Sequence, residues 1–161
     1  MSIRMLINGL MMDPVTNVPI VVLRDEAGTQ TLPIWIGMFE AHAVALQLEN
    51  SSPSRPMTHD LLSHVIEAFG ATVREVHVTD VRDGTFYAML FLTTARGETL
   101  AIDARPSDAL ALALRTHAPV LVAEHVIAAA ATVEVPSSQD TDRLQQWLES
   151  LDPDDMGKYK M

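Results

Sequence analysis

Residues 103–115 read DARPSDALALALR, which sets the charged residues Asp103, Arg105 and Asp108 directly before an almost wholly apolar run. Pro106 decides the local geometry. The residue before a proline is held in extended backbone, and the proline ring is pre-set for a first helical turn. A strand reading ETLAID (98–103) is therefore expected to close at Asp103, with a helix opening at the Arg105-Pro106 step. Ser107 and Asp108 are residue types that satisfy the free amides of a helix start. Residues 109–114 offer no polar face, so this helix is expected to be buried on all sides, in a core or against another subunit. Charges anchored at such a strand-to-helix corner are a natural place for a site.

The strand that feeds this corner is the last of a meander over 71–103. Its first two strands join through Asp83-Gly84, a strong hairpin signal, and a second turn falls at Arg96-Gly97. Val73, Val76 and Val78 do not alternate strictly, which leaves the register of the first strand open. Further upstream, THDLLSHVIEAFG (58–70) predicts a helix with Thr58 as N-cap, Leu61, Leu62, Val65, Ile66 and Phe69 on one face, and Gly70 at its C-terminal end. Ala41, Val44, Ala45 and Leu48 recur at helical spacing over 40–49, and Glu40 lies where a carboxylate favours the helix dipole. Residues 2–36 read as strands separated by Pro, Gly and Asp punctuation, mostly antiparallel. Downstream of the corner, 118–126 reads as a short buried strand running into a small-faced helix. RPMTHDLL (55–62) and RPSDALAL (105–112) echo one another at two helix starts.

These elements sum to an α+β domain: a mostly antiparallel or mixed sheet of six or seven strands with three main helices, plus a C-terminal amphipathic helix. That last helix is read from Leu144, Trp147, Leu148 and Leu151. One principal domain is expected over 1–133, followed over 134–161 by an acidic linker around Pro136-Ser137-Ser138, the amphipathic helix and a tail.

Composition narrows the chemistry. The chain has 161 residues with 48% hydrophobic content, enough for one domain with a real core. The absence of cysteine excludes disulfides, thiolate metal sites and cysteine nucleophiles. No apolar run is long enough to cross a bilayer and no signal-peptide pattern opens the chain, so a cytoplasmic protein with no membrane partner is expected. A net charge of -10 argues against a broad nucleic-acid-binding face. Nine of the eleven basic residues are Arg, which suits fixed bidentate pairing more than a diffuse basic surface. High apolar content with few aromatics points to self-association, as a homodimer or an assembly of dimers.

Three stretches carry a resemblance: LPIWIGMFEAHAVALQLE (32–49), RPMTHDLL (55–62) and DARPSDALALALRTHAPVLVAEHV (103–126). Together they resemble the bifunctional nuclease family of bacteria and plants, a likeness over most of residues 1–130. The resemblance implies a nuclease that hydrolyses RNA and DNA phosphodiesters with little sequence preference. Phosphodiester cleavage needs a positioned water, charge stabilisation at phosphorus and help for the leaving oxygen, which divalent metals often supply. Candidate catalytic residues are then Asp103, Arg105, Asp108, Glu40 and His59, with Arg55 and Arg105 as substrate-binding cations. Asp103, Asp108 and Asp60 are the candidate ligands for Mg²⁺ or Mn²⁺, and no organic cofactor is indicated. His42, His64 and His77 read as ordinary surface or satisfied residues. The alternative is a non-catalytic oligomeric module in which Asp103, Arg105 and Asp108 form a structural ion-pair clasp. The two readings separate on whether Glu40 and the His59-Asp60 pair come close to the corner.

Overall fold

The computed structural model describes residues 1–131. The linker, amphipathic helix and tail expected over 134–161 lie outside the described residues.

Within them the order is β1 (Ser2–Met12), β2 (Pro19–Asp25), β3 (Thr31–Trp35), α1 (Met38–Leu48), α2 (Thr58–Ala68), β4 (Thr72–Arg82), β5 (Thr85–Thr93), β6 (Thr99–Ala104), α3 (Pro106–Thr116), β7 (Val120–Ala123) and α4 (Glu124–Ala130). The fold is α+β, and a single seven-stranded sheet runs β3-β2-β1-β7-β4-β5-β6. β7 is the strand that makes it single. It pairs antiparallel with β1 on one side and parallel with β4 on the other, joining the N-terminal meander to the second one. The chain reaches β7 from the edge strand β6 by way of α3, which therefore crosses β5 and β4.

Local signals hold where turn chemistry is strict. Asp83 (φ 50) and Gly84 (φ 77) both take the left-handed backbone that a tight hairpin requires, and β4 and β5 pair on either side of them. Register shifts between Val73 and Glu75 and between Val78 and Asp80 account for the broken alternation of the β4 valines. Gly70 (φ 73) ends α2, with its amide bonded to the Glu67 carbonyl and that of Ala71 to the Ile66 carbonyl.

α3 is buried within the chain itself. It packs on β4 and β5 beneath, while α1 and α2 cover its other side. Residues Ala109, Leu110, Ala111 and Leu112 are each fully shielded from solvent. Leu110→Ala is expected to cost about 2–5 kcal/mol, since nothing around the site can collapse without moving a sheet or a helix. α4 packs against β3, β4 and β7 and adds Val126, Ile127 and Ala130 to the same core.

Two expectations are corrected. Met57, not Thr58, is the N-cap of α2, and Thr58 is its first helical residue. The apolar face of α2 is also turned the other way: His59 and Ser63 are buried and Ile66 is half-buried, whereas Leu61, Leu62, Val65 and Phe69 are exposed. His59 and Ser63 make the buried face of α2, and the bulkier stripe faces outward. No helix among the described residues is long and apolar enough to cross a membrane.

Candidate active site

The corner after β6 forms as its residue types require. Arg105 is extended (φ -69, ψ 142) and Pro106 occupies the first turn of α3. Its helix start meets those of α1 and α2, so side chains distant in sequence converge. Arg105 Nη2 donates to Glu40 Oε1 at 2.8 Å and Arg105 Nε donates to Asp108 Oδ2 at 2.9 Å. The other Asp108 oxygen, Oδ1, lies 2.9 Å from His59 Nε2. An ionised carboxylate only accepts, so Nε2 carries the proton of this pair and the free lone pair of a neutral ring sits on Nδ1.

Burial is graded across the cluster. The His59 side chain is 10% exposed and that of Arg105 67%. Arg105 is thus the solvent-facing member, and its Nη1 makes no hydrogen bond among the described residues. Burial pushes the Asp108 carboxyl up, but the hydrogen bonds and charges of Arg105 and His59 outweigh it and hold the group below the usual carboxylate range. The same contacts, Asp108 first and then Glu40, raise Arg105 further above its ordinary value. Gly37, the N-cap of α1, makes room for this arrangement: a Cβ there would collide with the Glu40 carboxylate. The expected capping by Ser107 and Asp108 is absent, since α3 has no side-chain cap and both Asp108 oxygens are taken by Arg105 and His59.

The remaining candidates lie elsewhere. Asp103 pairs with Met89 across the sheet, one residue before Ala104, which packs toward the core. Successive strand residues point to opposite faces, so Asp103 projects from the far side of the sheet; it is exposed and makes no hydrogen bond or ion pair among the described residues. Asp60 accepts from Arg115 Nε at 2.6 Å and from the Met57 amide at 2.9 Å. Burial raises its pKa, and these two partners more than reverse that. Arg55 is exposed in the loop before α2, without an ion-pair partner among the described residues, so the two Arg-Pro echoes are not equivalent there. Asp103, Asp108 and Asp60 therefore form no shared ligand set. The Arg105 guanidinium itself stands between Glu40 and Asp108, and no group of three or more His, Asp or Glu among the described residues could hold a metal ion. These residues do not fit a Mg²⁺ or Mn²⁺ centre as arranged.

Two residues escaped the sequence reading. Arg115, with a side chain only 4% exposed, ties Asp60 of α2 to the carbonyls of Ala111 in α3 and Ala43 in α1. His42, expected to be a surface or satisfied residue, is 4% exposed and its Nε2 is buried with no hydrogen-bond partner among the described residues. Burial lowers its pKa, against the pull of Glu49, which keeps the ring neutral. His42 lines a cleft of about 210 Å³ shared with Phe39, Glu40, His59, Arg105 and Asp108.

Comparison with known proteins gives this geometry a family. An uncharacterized protein of Mycobacterium tuberculosis is 37% identical over 158 residues, covering 91% of this chain and 93% of the relative. Bifunctional nuclease 2 of Oryza sativa subsp. japonica is 31% identical over 107 residues, and Bifunctional nuclease 1 of Arabidopsis thaliana 30% over 111 residues. These matches cover 65% and 67% of this chain but only 33% and 34% of the plant proteins. The family model described as the bifunctional nuclease domain matches residues 21–135, which include every member of the Glu40–Arg105–Asp108–His59 cluster. The chain belongs to the bifunctional nuclease domain family.

Proposed function

We propose that this protein is a nuclease that hydrolyses phosphodiester bonds of RNA and DNA with little sequence preference, and that Arg105, His59, Asp108 and Glu40 form its active site. The observation that carries this reading is the His59–Asp108 pair at 2.9 Å beside a solvent-facing Arg105. Asp108 holds His59 in one tautomer, so Nδ1 accepts a proton from the attacking water as its oxygen bonds to phosphorus. The bond from phosphorus to the leaving oxygen then breaks, and that oxygen takes up a proton, returned by the His59 imidazolium directly or through solvent. Arg105, through its free Nη1, binds a non-bridging phosphate oxygen and stabilises the charge that grows there. Glu40 is a positioning residue that fixes the guanidinium plane. Contacts made only to the phosphate carry no base preference.

The assay is cleavage of single-stranded RNA and DNA by the purified chain, with arms containing Mg²⁺, Mn²⁺ or EDTA, so that dependence on a divalent metal is read separately. His59→Ala is expected to lower kcat by about 10²–10⁴-fold, and Arg105→Ala by about 10²–10³-fold, in each case with the fold retained at the assay temperature. Activity retained in both variants would overturn the assignment. The opposite reading, a non-catalytic clasp, is favoured by the engagement of both Asp108 oxygens; it expects no cleavage by the parent and a loss of stability in both variants. We also propose self-association, as a homodimer or an assembly of dimers.

A further inference from the structure

Arg105 divides two clefts. On one side lies the 210 Å³ cleft between α1 and α2, with Phe39 at its mouth and His42 in its wall. On the other lies a cleft of about 480 Å³ that includes Trp35, Gly37, Gly84 and Phe86. Both clefts count Arg105 among their linings. A cation with an aromatic group on either side is a combination that suits single-stranded nucleic acid, a charge for the phosphate and flat faces for the flanking bases.

Two independent features of the smaller cleft point to an occupant. Phe39 is 79% exposed in the first turn of α1, in a chain with only four Phe, two Trp and two Tyr. An aromatic ring left in water gains nothing by folding, and its location is the rim of the cleft that holds His59 and Asp108. His42 is the second. A buried polar atom without a partner costs about 1–3 kcal/mol, and its Nε2 meets none among the described residues. The walls beside it are Ala43, Leu46 and Met57, which can shield a flat apolar ring but supply no hydrogen bond.

We propose that this cleft receives one unpaired nucleotide of a single-stranded RNA or DNA, its base stacked on Phe39 and its edge turned toward His42, whose Nε2 is closed off from solvent and meets a polar atom of the base or sugar once the ring shifts. The adjoining phosphate lies on Arg105 and the strand continues into the Trp35–Phe86 cleft. A base held in a duplex cannot present its face to Phe39, so the subsite selects single strands. Stacking accepts every base, which agrees with hydrolysis of little sequence preference. This inference rests on the nuclease reading for its choice of ligand.

The test is fluorescence anisotropy of a labelled phosphorothioate oligothymidylate, which resists cleavage, titrated with the full chain, beside cleavage of the ordinary strand. Phe39→Ala is expected to weaken binding about 5- to 150-fold, the equivalent of roughly 1–3 kcal/mol per stacked base, while Phe39→Trp retains it. A strand of the same length lacking bases, and a duplex, should bind weakly and equally to parent and Phe39→Ala. His42→Leu keeps the cleft filled and removes Nε2, so it should also weaken the oligothymidylate, with its melting temperature reporting that the fold is intact. Equal binding of the oligothymidylate by parent and Phe39→Ala overturns the subsite, as does failure of the parent to bind it. Phe39-dependent binding without cleavage of any strand keeps the subsite and removes the hydrolysis. Cleavage with a KM indifferent to Phe39 keeps the hydrolysis and removes the subsite.

Discussion

At the scale of single residues, the candidate site depends on a hydrogen atom at position 37. Gly37 has an ordinary extended backbone (φ -72, ψ 158), so Ala is sterically acceptable to the main chain. What it displaces is the Glu40 carboxylate folded against it, and with it the 2.8 Å contact to Arg105. Gly37→Ala is therefore expected to cost about 1 kcal/mol or less in stability as a cap change, yet to lower kcat/KM roughly tenfold to a hundredfold by letting the guanidinium wander. Steady-state cleavage measured beside a denaturant titration decides it, and unchanged cleavage would remove Glu40 from the site. His42 offers a second residue-scale outcome with a pH signature. Its folded pKa lies below the ordinary histidine value, so below about pH 6.5 the unfolded chain binds a proton that the folded chain refuses. Stability should fall with pH from that point downward. His42→Leu should be less acid-sensitive below about pH 6.5; parallel stability profiles for the two proteins would contradict a neutral buried ring.

Elements are held together here by one cation. Arg115 lies in the last turn of α3, where positive charge suits the helix dipole, and it reaches Asp60 at the start of α2 and the Ala43 carbonyl within α1. Arg115→Ala leaves Asp60 partly buried without its ion partner and frees the Ala43 and Ala111 carbonyls. A loss of about 3–5 kcal/mol is expected, with hydrogen exchange in α2 accelerating before that in α3; a loss below about 1 kcal/mol would show that the three helices dock without it. This element scale is also where the sequence became hard to read. Pro106, the Asp83-Gly84 turn and the all-apolar α3 were legible because each acts within a few residues. The face of α2 was not. Periodicity finds the stripe of Leu61, Leu62, Val65 and Phe69 but is silent on whether it or the Ser63 face meets a neighbour. Asp103 escaped for a similar reason, since alternation fixes that it opposes Ala104 without saying which side the helices cover. The pairs Glu40–Arg105, His59–Asp108 and Asp60–Arg115 span 65, 49 and 55 residues, and no local rule joins such partners.

For the whole molecule, the outward stripe of α2 has a cost that a second copy can relieve. Leu61 is 57% exposed and Phe69 83%, while Leu100 and Ile102 on the edge strand β6 are 47% and 43% exposed. Those two β6 residues pair with the buried Leu92 and Leu90, so they share the helix-bearing face yet lie past the cover of α3. Among the described residues β6 also has no strand beyond it, and an edge carrying leucine and isoleucine without lysine or proline is poorly protected against pairing. A two-fold arrangement places the same stripe on both partners and needs no second kind of surface. Light scattering after size exclusion is expected to find a dimer or an assembly of dimers for the full chain. Leu62→Glu combined with Ile102→Lys should shift it to the monomer without unfolding, because both side chains are substantially exposed within the single chain (38% and 43%). Neither Leu62 nor Ile102 lines the two clefts at Arg105, so the monomeric variant should keep its cleavage of single strands to within a few-fold. A parent that stays monomeric at every concentration would show that the stripe is simply solvated, and a monomeric variant without activity would show that the site needs its partner.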